Sequence, residues 1–347
     1  MKALVLKKPN ELVLEEMKKP IPGEGEVLVR VLRVGVCGTD LHAYGGNQPF
    51  FSYPRIMGHE LAVQVVEIPK SAREDASQVH VQEGDIVAVL PYLNCGRCIA
   101  CRNGKPNCCA ELQCLGVHTD GGMREYFSIH PRYLVPAGKV SPQDIALVEC
   151  FSIGFHGVRR SEVKRGELVL VVGAGPIGIG VIHGLKERGA RVMVLDINEK
   201  RLEYAQRVAK ADEIINAGRE SAEERVLELT NGENPTLVMD ATGNAKQMMQ
   251  AFNFASQGGR IVFVGLVTAD ITFHDPLFHR KEITLYASRN ATLEDFRNVI
   301  SGIESGRVNT EGFITHIACM EEAVTEFPRW RNPETGVIKA VIQVGEL

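Results

Sequence analysis

The stretch LVLVVGAGPIGIGVIHGLKERGARVMVLD, residues 168–196, decides the fold. Its opening LVLVVG is a near-continuous apolar run, as a parallel strand covered on both faces requires. Gly173-Ala174-Gly175-Pro176-Ile177-Gly178 follows at once and opens a helical stretch over about 177–188. A G-x-G-x-x-G means little alone, but between a strand and a helix it marks a dinucleotide site. The first glycine permits a tight turn and the second lets backbone approach a pyrophosphate. The third lets the helix pack on the strand, and the helix N-terminus presents N–H donors. Asp196 closes the next strand, RVMVLD, 23 positions after Gly173. A carboxylate there can hold a ribose 2′-hydroxyl and repel a 2′-phosphate, which favours NAD over NADP. Lys200 and Arg201 nearby weaken that discrimination. Asp196 could instead simply cap the following helix, because Asp is a good N-cap residue.

Outward from this unit the pattern repeats. A helix EKRLEYAQRVAK (199–210), a strand TLVMD (236–240) and a strand RIVFVG (260–265) follow. Val264 and Gly265, closing the last of these, join Gly173, Gly175, Pro176, Ile177, Gly178, Asp196 and Arg201 as candidate cofactor contacts. The βαβ rhythm from about Gly166 to Ser288 predicts an α/β domain with a doubly wound parallel sheet. Before about residue 150 the chain reads differently, as short β segments such as Glu26–Leu32 and Asp85–Leu90 punctuated by Gly and Pro. After Asn290 come a helix (292–304) and the β-rich ending GVIKAVIQV. At 347 residues the chain exceeds the ~250–300 at which one core stops growing, so two domains are expected. The central one looks inserted between two halves of a mostly β domain.

The net charge of −4 gives no support to a nucleic-acid partner or an anionic membrane surface. The N-terminus, MKALVLKKPNELVLEE, carries charges too early for a secretory h-region. Leu168–Ile182, the longest charge-free stretch, is too short for a spanning helix and is broken by glycines and Pro176. Nine cysteines, an odd number with a cluster among them, suit a reducing cytosol, so the expected location is cytoplasmic.

That cluster is Cys95, Cys98 and Cys101 in strict step, followed by adjacent Cys108 and Cys109. Four thiolates in so short a loop suit a closed tetrahedral zinc site, with Zn–S distances of about 2.3 Å; paired disulfides or buried free thiols are the alternative. Such a metal has no open position for a substrate. Outside the cluster, Cys37-Gly-Thr39-Asp40-Leu-His42, Gly58-His59-Glu60 and Glu149 in LVECFSIGFH offer the ligand types of a three-ligand zinc with one position open.

Cys37-x-Thr-Asp-x-His, Gly58-His59-Glu60, the four-cysteine loop and the inserted dinucleotide domain together resemble the zinc-dependent medium-chain alcohol and polyol dehydrogenases. The resemblance covers essentially the whole chain. It implies a Rossmann domain, 156–289, inserted in a GroES-like catalytic domain made of 1–155, with the zinc loop 95–109, and 290–347. It implies two zincs per chain. Cys37, His59 and Glu149 fall on the catalytic-zinc ligands of the sorbitol dehydrogenase-like branch, and Glu60 would ligate or exchange with substrate or water. Cys95, Cys98, Cys101 and Cys109 fall on the structural-zinc ligands. Thr39 and His42 match a proton relay through the cofactor ribose, Asp40 the carboxylate that orients His59, and Arg289 an arginine lining the polyol site. The polyol branch usually has proline after the third ligand, whereas this chain has Cys150, a rival ligand or a packed thiol.

GGNQPFFSYPR (45–55), Glu149 and SRNATLEDF (288–296) look most like the sugar-acid branch, the L-galactonate or L-gulonate 5-dehydrogenases. Asn47, Gln48 and Arg289 could bond hydroxyls and a carboxylate, which arginine suits bidentately. Phe50 and Phe51 could wall the pocket or pack in the β domain. A small-molecule secondary alcohol would become a ketone. A neutral polyol or a threonine-like amino alcohol is the alternative substrate. A nucleotide-binding regulator or scaffold is the non-enzymatic alternative, although it would need no proton relay. Family resemblance also implies a homodimer or homotetramer.

Overall fold

Strand Leu168–Val172 and helix Pro176–Glu187 meet at the glycine turn. The computed structural model describes residues 1–346. Gly173 takes φ +97°, the left-handed region open to glycine. A Cβ on Gly178 would lie 1.9 Å from the Gly173 carbonyl oxygen, so only glycine lets the helix close onto the strand. Pro176 sits in the first helical turn, where its missing N–H costs nothing.

Around this turn, among the described residues, lies a six-stranded parallel sheet. Its spatial order is Glu213–Asn216, Arg191–Asp196, Leu168–Val172, Leu237–Asp240, Arg260–Phe263, Thr284–Ala287. The chain starts in the middle, winds to one edge, then returns to wind to the other. The order therefore reverses between Leu168–Val172 and Leu237–Asp240, where doubly wound sheets bind ligands at the carboxyl ends of their strands. One face packs Leu170, Val172, Met193, Leu195, Val238 and Ile261 with Phe252 and Phe254 in a single buried cluster.

The other unit is built around strand Val27–Val36, whose sequence VLVRVLRVGV is almost wholly apolar and almost wholly buried. It pairs antiparallel with Glu60–Glu67, with Tyr126–Ile129 and with Lys339–Gln343. The register sets Gly35 opposite Glu60 and Val36 opposite Ala340. Three strand ends thereby converge where the chain reaches Cys37. A short ribbon, Tyr92–Leu93 against Gln113–Cys114, closes the base of the four-cysteine loop. Helix Met320–Trp330 buries Met320, Ala323, Phe327 and Trp330, a helix-spaced apolar face that joins the same core.

The units comprise Met1–Glu149, Thr292–Glu304 and Thr310–Leu347 on one side, and Cys150–Ala291 with Ser305–Asn309 on the other. The first boundary lies six residues before the expected 155/156 and falls within helix Val148–Ser161. Gly154 explains why. A Cβ there would approach the Val181 backbone nitrogen to 2.3 Å, so most of this helix is fitted against the dinucleotide unit. The second boundary lies two residues after 289/290. Ser305–Asn309 then returns to the dinucleotide unit, where Arg307 Nε meets Glu187 at 3.0 Å.

Candidate active site and metal centres

Cys37 ends the central strand and caps helix Gly38–Tyr44. Asp40, in the first turn and 1% exposed, accepts the Cys37 N–H at 2.9 Å through one oxygen. Its other oxygen accepts the Gly58 N–H at 3.3 Å and lies 3.8 Å from His59 Nδ1. One buried carboxylate thus fixes both loops that bring Cys37 and His59 together. The ligand atoms of Cys37, His59 and Glu60 all lie within 4.8 Å of one another, with both His59 and Glu60 buried.

Glu60 faces Gly35, where any Cβ would fall 2.1 Å from the carboxylate, so the glycine makes its room. Lys339 Nζ, itself buried, holds both Glu60 oxygens at 2.7 Å and reaches the Val36 carbonyl at 3.3 Å. Glu149, in the first turn of helix Val148–Ser161, accepts a hydrogen bond from the Tyr92 hydroxyl. Burial raises the Glu149 carboxyl, with nearby His59 opposing. Burial also raises the Tyr92 phenol well above its ordinary value, reinforced by the Glu149 charge. Burial works against a charged His59, but Cys37, Asp40 and Glu149 overcome it and raise the imidazole well above its ordinary value.

A buried imidazole gathered with a cysteine sulfur and carboxylates, and pressed towards its cationic form, is what a pocket built for a cation looks like in protein groups alone. The donor set of one thiolate, one imidazole and carboxylate suits zinc, and it leaves room for a further ligand. Cys114, opposite Tyr92 on the ribbon, is pushed up to about 12 by burial and stays a thiol.

The second cluster is chemically different. Cys95, Cys98, Cys101 and Cys109 place their sulfurs within 4.8 Å of one another, and none is in a disulfide. Cys109 is buried and accepts the N–H groups of Cys95 and Glu111, each at 3.3 Å. Its neighbour Cys108 is exposed. Backbone N–H groups of Cys101 and Ala110 draw Cys98 down to about 6, a thiolate-favouring setting, while burial pushes Cys109 up to about 11. Four convergent sulfurs stabilised by N–H donors fit a closed zinc site.

In the dinucleotide unit, Asp196 accepts the Ala174 N–H at 2.6 Å, tying the strand end to the glycine turn. Its other oxygen accepts the Ile197 and Asn198 N–H groups at 2.7 and 2.8 Å. The cap of the next helix is Asn198, whose side chain takes the Arg201 N–H, so Asp196 is free of that task. A Cβ on Gly175 would meet nothing nearer than Arg201 Nη1, 3.9 Å away, which leaves open ground over the helix start for a phosphate. Val264 and Gly265 donate to the Asp240 carbonyl at 2.8 and 3.0 Å, holding that strand end beside Gly243.

Of the remaining candidates, Thr39 is half-buried and His42 exposed on helix Gly38–Tyr44. Arg289 is exposed just beyond strand Thr284–Ala287. Phe50 is 61% exposed, whereas Phe51 packs edge-on against Tyr53 and joins the core. His118 accepts the Cys114 N–H at 3.0 Å, a structural duty. Sequence reasoning missed Lys339 and Tyr92. A lone lysine in the apolar run GVIKAVIQV was a signal, because a buried cation needs an anion. Tyr92 gave none.

Comparison with known proteins agrees with this architecture. The alcohol dehydrogenase GroES-like domain matches residues 23–139 and the zinc-binding dehydrogenase domain residues 176–305. L-galactonate-5-dehydrogenase of Escherichia coli K12 is 42% identical over 318 residues, covering 91% of both chains. Sorbitol dehydrogenase of Bacillus subtilis is 30% identical over 351 residues, covering 99% of this chain and 97% of that one. The crystal structure of the alcohol dehydrogenase RspB from E. coli CFT073 with NADH superposes with a TM-score of 0.89 at 31% identity, covering 99% of each chain. The chain therefore belongs to the zinc-dependent medium-chain alcohol and polyol dehydrogenases, oxidoreductases that work with zinc and NAD(P).

Proposed function

We propose that this enzyme oxidises a secondary alcohol of a linear sugar acid, of the L-galactonate or L-gulonate type, to a ketone, with NAD preferred over NADP. The observation that carries the reading is the Cys37–His59–Glu60 cluster, with His59 and Glu60 buried and Cys37 half-buried, cinched by Asp40 and flanked by Glu149. The similarity to L-galactonate-5-dehydrogenase supports the substrate class.

Cys37 and His59 would hold the catalytic zinc with carboxylate from Glu149 and from Glu60, the one whose oxygen clusters with them, and Cys95, Cys98, Cys101 and Cys109 would hold the structural one. Bound at the open site, zinc would supply Lewis acidity to the substrate hydroxyl, and a bound nicotinamide would accept the hydride. Asp40 orients His59 and fixes its tautomer. Glu60, held on Lys339, is the exchangeable carboxylate beside that metal. Thr39 would take the hydroxyl proton as it gives its own to the cofactor ribose, and His42, exposed on the same helix, would pass a proton on from the ribose to water. Arg289 pairs with the substrate carboxylate, while Asn47 and Gln48 bond its hydroxyls. Asp196 serves the ribose, with Gly173, Gly175, Ile177 and Gly178 beneath the pyrophosphate and Arg201 at its flank. The protein acts in the cytoplasm as a homodimer or homotetramer.

The test is a screen of aldonic acids against neutral polyols and threonine, with NAD and NADP, on zinc-loaded enzyme. Aldonic acids should lead in kcat/KM by about tenfold or more, the scale of one well-placed polar contact. A neutral polyol in the lead would move the enzyme to the sorbitol-type reading.

A further inference from the structure

Asp196 has charged company at the carboxyl edge of the parallel sheet. Strand pairing sets Asn216, at the end of Glu213–Asn216, beside it. The chain then turns back over that edge. The Ala217 N–H donates to the Asp196 carbonyl at 3.0 Å, and the Arg219 N–H to the Asn216 carbonyl at 2.9 Å. An arginine is thereby delivered to the neighbourhood of Asp196, and its guanidinium is already engaged. Arg219 Nη2 meets Glu199 Oε2 at 2.6 Å, and Asn216 Nδ2 donates to the same oxygen at 3.1 Å. Glu199 opens helix Glu199–Arg207, three positions after Asp196. The ion pair therefore ties together the two segments that meet at Asp196.

A ribose 2′-hydroxyl is neutral and asks for an acceptor, which a carboxylate supplies. A 2′-phosphate is an anion, and a nearby arginine is what accommodates it in this kind of fold. We propose that Glu199 is a specificity-determining residue for the nucleotide: it pairs with Arg219 and so withholds that arginine from a 2′-phosphate. The proposal rests on the reading of Asp196 as the residue that serves the ribose. The preference for NAD then has two guards, since Asp196 repels a 2′-phosphate and Glu199 occupies the cation that would welcome one. Arg201 does not fill the gap. Its Nη1 lies 3.9 Å from where a Gly175 Cβ would stand, which directs it to the glycine turn and the pyrophosphate. Asn216, whose own oxygen accepts the Gly218 N–H at 3.0 Å, is the second donor that holds the Glu199 carboxylate in place. The side chains of Arg219 and Glu199 are 70% and 45% exposed, so water screens the pair. Its effect is accordingly about fivefold rather than orders of magnitude.

The test uses full-length, zinc-loaded protein and two nucleotide fragments, 5′-AMP and adenosine 2′,5′-bisphosphate, which differ only in the 2′-phosphate. Calorimetry gives the ratio of their affinities, and nicotinamide fluorescence gives the same ratio for NADPH against NADH. Asp196→Ala should move the ratio towards the 2′-phosphorylated ligand. Glu199→Gln in that background should move it about fivefold further, and adding Arg219→Ala should take that gain back. A ratio that answers to Asp196→Ala but not to Glu199→Gln would overturn the role of Glu199 and leave the reading of Asp196 standing. No response to either substitution would overturn both. A gain that survives Arg219→Ala would show that Glu199 acts only as one more negative charge, and would overturn the withholding of Arg219. Glu199→Gln protein that loses affinity for both fragments alike would make Glu199 a structural residue of the helix start and would equally overturn the proposal.

Discussion

The two metal regions of this protein hold different ligand atoms in different settings, four sulfurs in one and sulfur, imidazole and carboxylate in the other. Cys95, Cys98 and Cys101 sit on a loop within reach of water, and only Cys109 is buried. His59, Glu60, Glu149 and Asp40 are all at most 5% exposed. Charge explains the difference. Four thiolates around a dication leave two surplus negative charges, which are tolerable where water and backbone N–H groups share them. In the interior the same surplus would cost several kcal/mol per uncompensated ion. The buried site comes closer to balance, since one thiolate and one carboxylate would match a dication and Glu60 is matched by Lys339, which leaves only Asp40, held by the Cys37 and Gly58 N–H groups. A site so nearly balanced can be largely buried, and burial strengthens the electrostatics on which polarising a hydroxyl depends. The loop site trades that for rigidity.

The comparison can be broken most decisively at Cys37. Cys37→Ala should empty the open site and lower kcat by about three orders of magnitude or more, several kcal/mol of transition-state stabilisation, while circular dichroism and the loop zinc stay unchanged. An active Cys37→Ala enzyme would remove the contrast altogether. Lys339→Met tests the charge balance. It strands a buried carboxylate and should cost about 3–5 kcal/mol in denaturant unfolding, largely restored by Glu60→Gln in the same chain. A cost that Glu60→Gln leaves untouched would mean the lysine serves packing rather than charge. Cys98→Ala should leave one zinc per chain and lower Tm by roughly 4 °C, about 3 kcal/mol for a protein of this size. Equal Tm and full zinc content would show that the loop is not metal-stapled. The smallest effect is expected outside both regions. Asp196→Ala should raise KM for NAD by about tenfold, or 1.4 kcal/mol, and change NADP less, with both zincs retained. An unchanged nucleotide preference would show that the Asp196 bonds to the glycine turn are its whole purpose.

Much of the fold was legible along the chain. The glycine turn, the apolar strand runs and the helix periods are local, and they located the doubly wound sheet within a few residues. Helix Val148–Ser161 was harder, because it is buried along nearly its whole length, polar Glu149, Ser152 and His156 included, so no exposed face marks where one unit ends. Its start in one unit and continuation in the other moved the first boundary from 155/156 to 149/150. The candidate ligands were legible as residue types, but their partners were not. Cys108 and Cys109 differ by a single position, and what separates them is burial and two N–H donors reaching Cys109. Asp196 offered two roles in sequence, and Asn198 was found to take the cap.

By itself, then, the sequence determined what short spacings can encode: the four-thiolate loop, the dinucleotide turn, the alternation that builds a parallel sheet, and the inventory of metal-binding groups. The tertiary structure alone decided which charges meet. Lys339 reaches Glu60 across 279 positions and Tyr92 reaches Glu149 across 57. Such pairs are fixed by strand register and helix placement, and no local pattern records them. A buried charge is stable only with its partner, so the identity of that partner became visible only when the chain had folded.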